Sequence, residues 1–186
     1  MSGFCHRDYF RRYRLNVAQY GEIVVNEAFC GKKMGDSQPG YDIVTSKAAF
    51  IDSLQRAGMS TQQISTFNLN ERILIQVKAK LNEAPSGKAS VVHCPDSNLR
   101  AMTHLAIVLV DPGARVEHGD PAEEGLIVHA WLMTRDRASE LRFKKGQEQY
   151  INVNKLKKAA SSHQDIFDIK EMLSFIVDAQ IEVVAH

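Results

Sequence analysis

Nowhere do these 186 residues hold the roughly 20 consecutive apolar positions of a membrane-crossing helix. The opening residues, MSGFCHRDYF, also lack the basic-then-apolar layout of a secretory leader. The expectation is a soluble, cytoplasmic protein with no membrane partner. Cysteine is scarce: Cys5, Cys30 and Cys94 make an odd count without C-x-x-C spacing, which excludes a fully paired disulfide framework and argues against a structural zinc site. Neither sign of charge dominates, with 23 Lys and Arg against 22 Asp and Glu, so bulk charge marks no nucleic-acid or membrane binder. Without internal repeats, low-complexity tracts or a linker, residues 1–186 read as a single domain.

The densest β-type stretch is Thr103–Thr134, read as two buried strands, His104–Val110 and Leu126–Met133, joined by a loop rich in Gly, Pro and acids. Before it the spacing is mainly helical. Residues 6–20 place Tyr9, Tyr13, Val17 and Tyr20 on one face of a basic helix ended by Gly21, followed by a strand at Ile23–Phe29 and a loop at Gly31–Gly40. A helix capped by Thr45 or Ser46 turns Ala49, Phe50, Ile51 and Leu54 inward and stops at Gly58. Ser60 and Gln63 form a capping box for a helix through Ile64 and Phe67, and a further helix restarts at Asn68 or Asn70 with Ile73, Leu74, Val77 and Leu81 on one face.

From Lys88 the period falls to two. Strands are expected at Ala89–Cys94, at the two central segments, and at Glu140–Lys145 and Glu148–Val153 around Gly146. Helices follow at Asn154–Ala160 and Asp168–Ala179, then a last strand at Ile181–Ala185. This is an α+β arrangement: N-terminal helices packed on a mainly antiparallel sheet of four to five strands, with a C-terminal helix.

A histidine at the head of one central strand, His104, and another on the next, His129, suit a general base and its orienter. Cys5 at a helix start is the best-placed nucleophile, because unpaired backbone N–H groups and the helix dipole favour a thiolate there. Plainer readings stand beside these. Either histidine is also what a hydrogen-bonded core position looks like, Asp120 before Pro121 suits a turn, and Glu123 and Glu124 suit a solvated loop.

H-L-A-I-V-L followed by G-L-I-V-H-A resembles the catalytic strands of papain-like cysteine hydrolases, in their bacterial cell-wall peptidase and amidase branch. The resemblance implies Cys5 as nucleophile, His104 as base and His129 as orienter. The spacing from His104 to Asp120-Pro121 resembles the bacterial effector branch instead, which would make Asp120 the orienter. Cys30 is a substitute nucleophile and Cys94 a structural residue. The implied activity is a cysteine-dependent amide hydrolase or acyltransferase (peptidase, amidase or deamidase) on a peptide or protein substrate, with no cofactor. The residue after Cys5 is His6, where the cell-wall branch has a small one.

The alternative lies in LQRAGMSTQQIS, a helix-turn-helix pattern whose Gln62, Gln63, Ser65 and Thr66 suit base edges, although residues 61–69 contain no Lys or Arg. That reading is a DNA-binding regulator, and a protein-interaction adaptor using the basic helix with Arg11 and Arg12 is its neighbour. Pro112-Gly113, His118, Asp120 and Glu124, with the distant His163, are similar to a cupin metal motif lacking its second histidine, and no metal is expected.

Overall fold

The structure is a computed structural model describing residues 17–35, 40–67, 69–81, 91–110 and 127–174. The first half runs α1 (Val17–Ala28), β1 (Lys32–Lys33), β2 (Ile43–Ser46), α2 (Lys47–Arg56), α3 (Thr61–Ser65), β3 (Arg72–Leu81), β4 (Val91–His93) and α4 (Asp96–Ala101). The second runs β5 (His104–Val110), β6 (Ile127–Thr134), α5 (Arg135–Leu141), β7 (Arg142–Lys145), β8 (Glu148–Asn152), α6 (Val153–Ala160) and β9 (Ile166–Asp168). Together they form an α+β protein. No helix among the described residues is long and apolar enough to cross a membrane.

A six-stranded sheet, ordered β1-β2-β3-β5-β6-β9, divides the structure. Its β3–β5 pair is parallel and its other pairs are antiparallel. All seven residues of β5 are buried, and alternation sends them to two cores. Ala106, Val108 and Val110 join Ile73, Ile75 and Val77 of β3 under α1, α2 and α3, where Val24, Phe50, Leu54 and Ile64 close the layer. On the other face Leu105, Ile107 and Leu109 pack with Trp131 and Met133 against Val92, Ile151, Ala138 and Leu156. That layer includes a second sheet of three antiparallel strands, β4-β8-β7. Each fully buried Leu or Ile of β5 stabilises by roughly 1.5–3 kcal/mol relative to exposure, which makes this strand the main anchor of both layers.

Local signals hold where the chemistry is local. Ser46 caps α2 by accepting from the Ala49 N–H, and Ser60 and Gln63 form the expected capping box. Three expectations need correction. Ile23–Phe29 is not a strand: α1 continues through Gly21, and Tyr20, Val24, Val25 and Ala28 form a buried helical stripe. The helix expected from Asn68 or Asn70 is strand β3, with Ile73, Ile75 and Val77 alternating inward. The sheet is not of four or five strands, because the main sheet has six with one parallel pair and β4, β7 and β8 stand apart. The helix-turn-helix thereby loses its recognition helix, since α3 is five residues long and buries Ile64. The helix expected from Asp168 gives its first residue to β9, and helical structure begins at Lys170. Residues 6–16 of the basic helix and the Ile181–Ala185 strand lie outside the described residues.

Gly21 fixes how α1 meets the sheet. A Cβ there would stand 2.4 Å from the Ala79 Cβ, so helix and strand touch where only hydrogen fits. Gly21→Ala should therefore destabilise by about 1–3 kcal/mol through overpacking, outweighing the gain in helix propensity. Denaturant unfolding should show the loss, and Ala79→Gly in the same chain should restore part of it. Additive losses in the double variant would disprove the contact.

Candidate functional site

Cys5 and Asp120 lie outside the described residues, as do His118 and Glu124, so geometry exists for the histidines alone. His104 opens β5 in full burial. Its ring lies 5.0 Å from that of Phe50 and 5.3 Å from that of Phe67. Thr103 Oγ1 accepts from the Leu74 N–H at 2.8 Å, and is 3.1 Å from the Leu74 carbonyl oxygen and 2.9 Å from His104 Nδ1. Thr103 has one hydroxyl proton, so either it goes to the Leu74 carbonyl and Nδ1 carries the imidazole hydrogen, or it goes to Nδ1 and Nε2 carries it. In either tautomer Nε2 is buried and without a partner among the described residues. Burial drives the imidazole pKa down to about 4.

His129 is not beside it. Residue 129 pairs with Leu109 and residue 104 with Thr134, a separation of roughly 17 Å along the strands. The two side chains also take opposite faces: His104 lies with Phe50 and Phe67, whereas His129 stacks on Trp131 at 5.1 Å in the other core layer. The structure therefore does not bring His104 and His129 together. Cys94 is buried with Trp131 and Leu156, and burial pushes its thiol pKa up. Cys30 is exposed, with Sγ 3.7 Å from Arg56 Nη2. His163 is exposed.

A polar constellation does assemble at β2 and β3. Asp42 immediately precedes β2, and its Oδ2 accepts the Val77 N–H at 2.7 Å. Gln76 is buried, and its Nε2 donates both to the same Asp42 Oδ2 and to the Val77 carbonyl at 3.1 Å. Asn98 of α4 donates to Gln76 Oε1 at 2.8 Å. Gly40 brings this loop against α4 at a φ of +92°, where a Cβ would meet the Ala101 Cβ at 2.5 Å and the Ser97 carbonyl at 2.9 Å. Lys78, two residues beyond Gln76, emerges on the same face of β3.

Across from it, Lys33 Nζ lies 2.7 Å from Glu22 Oε2 on α1. Burial raises the Asp42 carboxyl above the usual range, the Val77 N–H opposes that, Glu22 adds to the rise, and Lys78 and Lys33 pull it down. Four groups thus act, besides burial, on one half-buried carboxylate.

This centre was missed at sequence level. The available signal was Asp42 before one short strand and Gln-x-Lys within the next. No cluster of three or more His, Cys, Asp or Glu suited to a metal occurs among the described residues. Asp42 with an amide and a backbone carbonyl is a different donor class. Compared with known proteins, the chain matches no family model and no curated sequence.

The burial of His104 has a pH signature. Its folded pKa of about 4 lies below the unfolded value near 6.5, so the unfolded chain binds the extra proton between the two. The neutral imidazole's contribution is complete above pH 6.5 and disappears as pH falls towards 4, a loss on the order of 3 kcal/mol. Urea unfolding should show stability falling across that window. In His104→Phe, which keeps the ring contacts, that part of the slope should vanish, and an unchanged slope would contradict the buried neutral imidazole.

Proposed function

We propose that the chain is a divalent-cation-dependent phosphodiester hydrolase acting on nucleic acid, centred on Asp42, Gln76 and Lys78. One observation carries the reading: the Gln76 amide N–H₂ sits between two oxygens, Asp42 Oδ2 and the Val77 carbonyl. Amide nitrogen and oxygen exchange by a half-turn of the side chain. After that turn three oxygens converge, a donor set for a small hard cation such as Mg²⁺, which needs only one or two carboxylates and takes water and phosphate for the rest. A bound cation of this kind lowers the pKa of a water and neutralises charge on a phosphoryl oxygen.

The chain's own residues supply the remainder. Asp42 provides the anionic ligand and Val77 a fixed backbone carbonyl, while Asn98, which donates to the Gln76 oxygen before the turn, would hold the turned amide only by turning its own so that its oxygen accepts from Gln76. Lys78 presents an ammonium on the same face of β3, suited to the charge that develops on the phosphate as the bond breaks. Glu22, paired with Lys33, is the second carboxylate near Asp42. The cysteine-hydrolase reading takes Cys5, which lies outside the described residues, as its nucleophile; of the described cysteines, Cys94 is buried in the core layer opposite His104 and Cys30 is exposed beside Arg56.

The test is cleavage of plasmid and single-stranded substrates with Mg²⁺ or Mn²⁺, against EDTA. Asp42→Asn and Lys78→Ala should each reduce cleavage by about a hundredfold or more. Gln76→Glu separates two roles. An oxygen ligand survives the change, whereas an N–H₂ that only braces Asp42 would be replaced by a repelling carboxylate, and activity would fall. Metal-independent cleavage, or full activity in Asp42→Asn, would refute the reading. Hydrolysis of amides blocked by iodoacetamide and indifferent to EDTA would favour the thiol enzyme.

A further inference from the structure

The three-stranded sheet carries an aromatic row. Register places His93 of β4 opposite Tyr150 of β8, and Tyr150 opposite Phe143 of β7, so one ring from each strand stands in line on one face. The centroids are 5.3 Å apart for His93 and Tyr150 and 6.2 Å for Tyr150 and Phe143. The neighbouring positions Val92 and Ile151 point the other way, into the core. The row is therefore on the outer face, with His93 exposed and Tyr150 and Phe143 half-exposed. A core does not require three rings on its solvent side.

Charge distinguishes this region from the rest of the chain. Between Arg142 and Lys158 there are six Lys or Arg and one acid, Glu148, in a protein whose net charge is +1. Lys144, Lys145, Lys155 and Lys158 are exposed. Arg142 is engaged with Asp96, and alternation along β7 puts exposed Lys145 on the same face as Phe143; sheet-borne rings with such a cation fit unpaired bases and their phosphates, since each base offers a π-face and each phosphate an anion. The segment that carries His93 also touches the strand of the Asp42 centre: Lys80 Nζ donates to the Val91 carbonyl at 3.2 Å, and Asn98, five residues after His93, donates to Gln76.

We infer that the His93–Tyr150–Phe143 face docks an unpaired stretch of nucleic acid. The inference rests on the nucleic-acid reading of the Asp42 centre for its biological purpose, but binding is measurable without cleavage. The experiment uses the full chain carrying Asp42→Asn, in EDTA, and follows fluorescence anisotropy of labelled oligothymidylate, oligouridylate and a duplex of equal length.

Either single strand should bind more tightly than the duplex, with affinity falling as salt rises. Phe143→Leu and Tyr150→Leu, which keep apolar bulk, should each weaken binding about tenfold, while Tyr150→Phe should bind normally. Circular dichroism and thermal unfolding identify any variant that fails to fold, and Lys144→Glu with Lys145→Glu then provides a ring-independent check, expected to lower affinity and its salt dependence. Duplex preference, unchanged affinity in the leucine variants, or loss of self-association rather than of oligonucleotide binding in them would overturn the inference. Binding that survives with no cleavage in the unmutated protein would sink the Asp42 reading alone.

Discussion

Strand β5 has no solvent face, and the architecture follows from that constraint. Its seven residues are buried, and its parallel partner β3 sends Ile73, Ile75 and Val77 to one core. Both sides of the sheet must then be covered, since a parallel pair exposes no face without losing apolar burial. Helices α1 to α3 cover one side. The other is covered by α5, α6 and the three-stranded sheet. Where that second cover meets β3, it meets Gln76, Lys78 and Lys80 rather than apolar residues. A buried amide at this edge needs partners, and it has them in Asp42 and Asn98.

Much of this was legible where the determinants are local. The His104–Val110 run, the Ser46 and Ser60 caps and the β7–β8 hairpin at Gly146 are encoded within a few residues of themselves. Strand β3 was not, because Ile73, Leu74, Val77 and Leu81 satisfy a helical period as well as Ile73, Ile75 and Val77 satisfy a period of two. Pairing with β2 and β5 decides between them. Similarly, Val24 and Val25 favour a strand locally, while the Gly21–Ala79 contact belongs to a helix lying on the sheet.

That one error concealed the site. On a helix, residues two apart are about 200° apart around the axis, so Gln76 and Lys78 would never meet one substrate. On a strand they share a face. The same rule of alternation separates the two histidines. In the β5–β6 register, residue 109 faces 129 and residue 104 faces 134, so His104 and His129 have opposite parity and lie on opposite faces. Their strands were read correctly at sequence level, but their shared site required a register that sequence alone does not supply.

The electrostatics at Asp42 bear on the proposed ligand set. A structural carboxylate in a half-buried position is ordinarily neutralised by a salt bridge that touches it. Here Lys33 is engaged with Glu22, and Lys78 acts on Asp42 from a distance, leaving two neutral N–H donors in contact with Oδ2. Each neutral hydrogen bond stabilises by only about 1 kcal/mol net, whereas a carboxylate withdrawn from water loses several kcal/mol of hydration unless a full charge approaches it. The raised pKa is the mark of that imbalance. A small cation coordinated by Asp42 would remove it directly, whereas moving Lys33 onto Asp42 would leave Glu22 unpaired. The proposed cation would thus supply Asp42 with a full positive charge that none of the described side chains brings into contact with it.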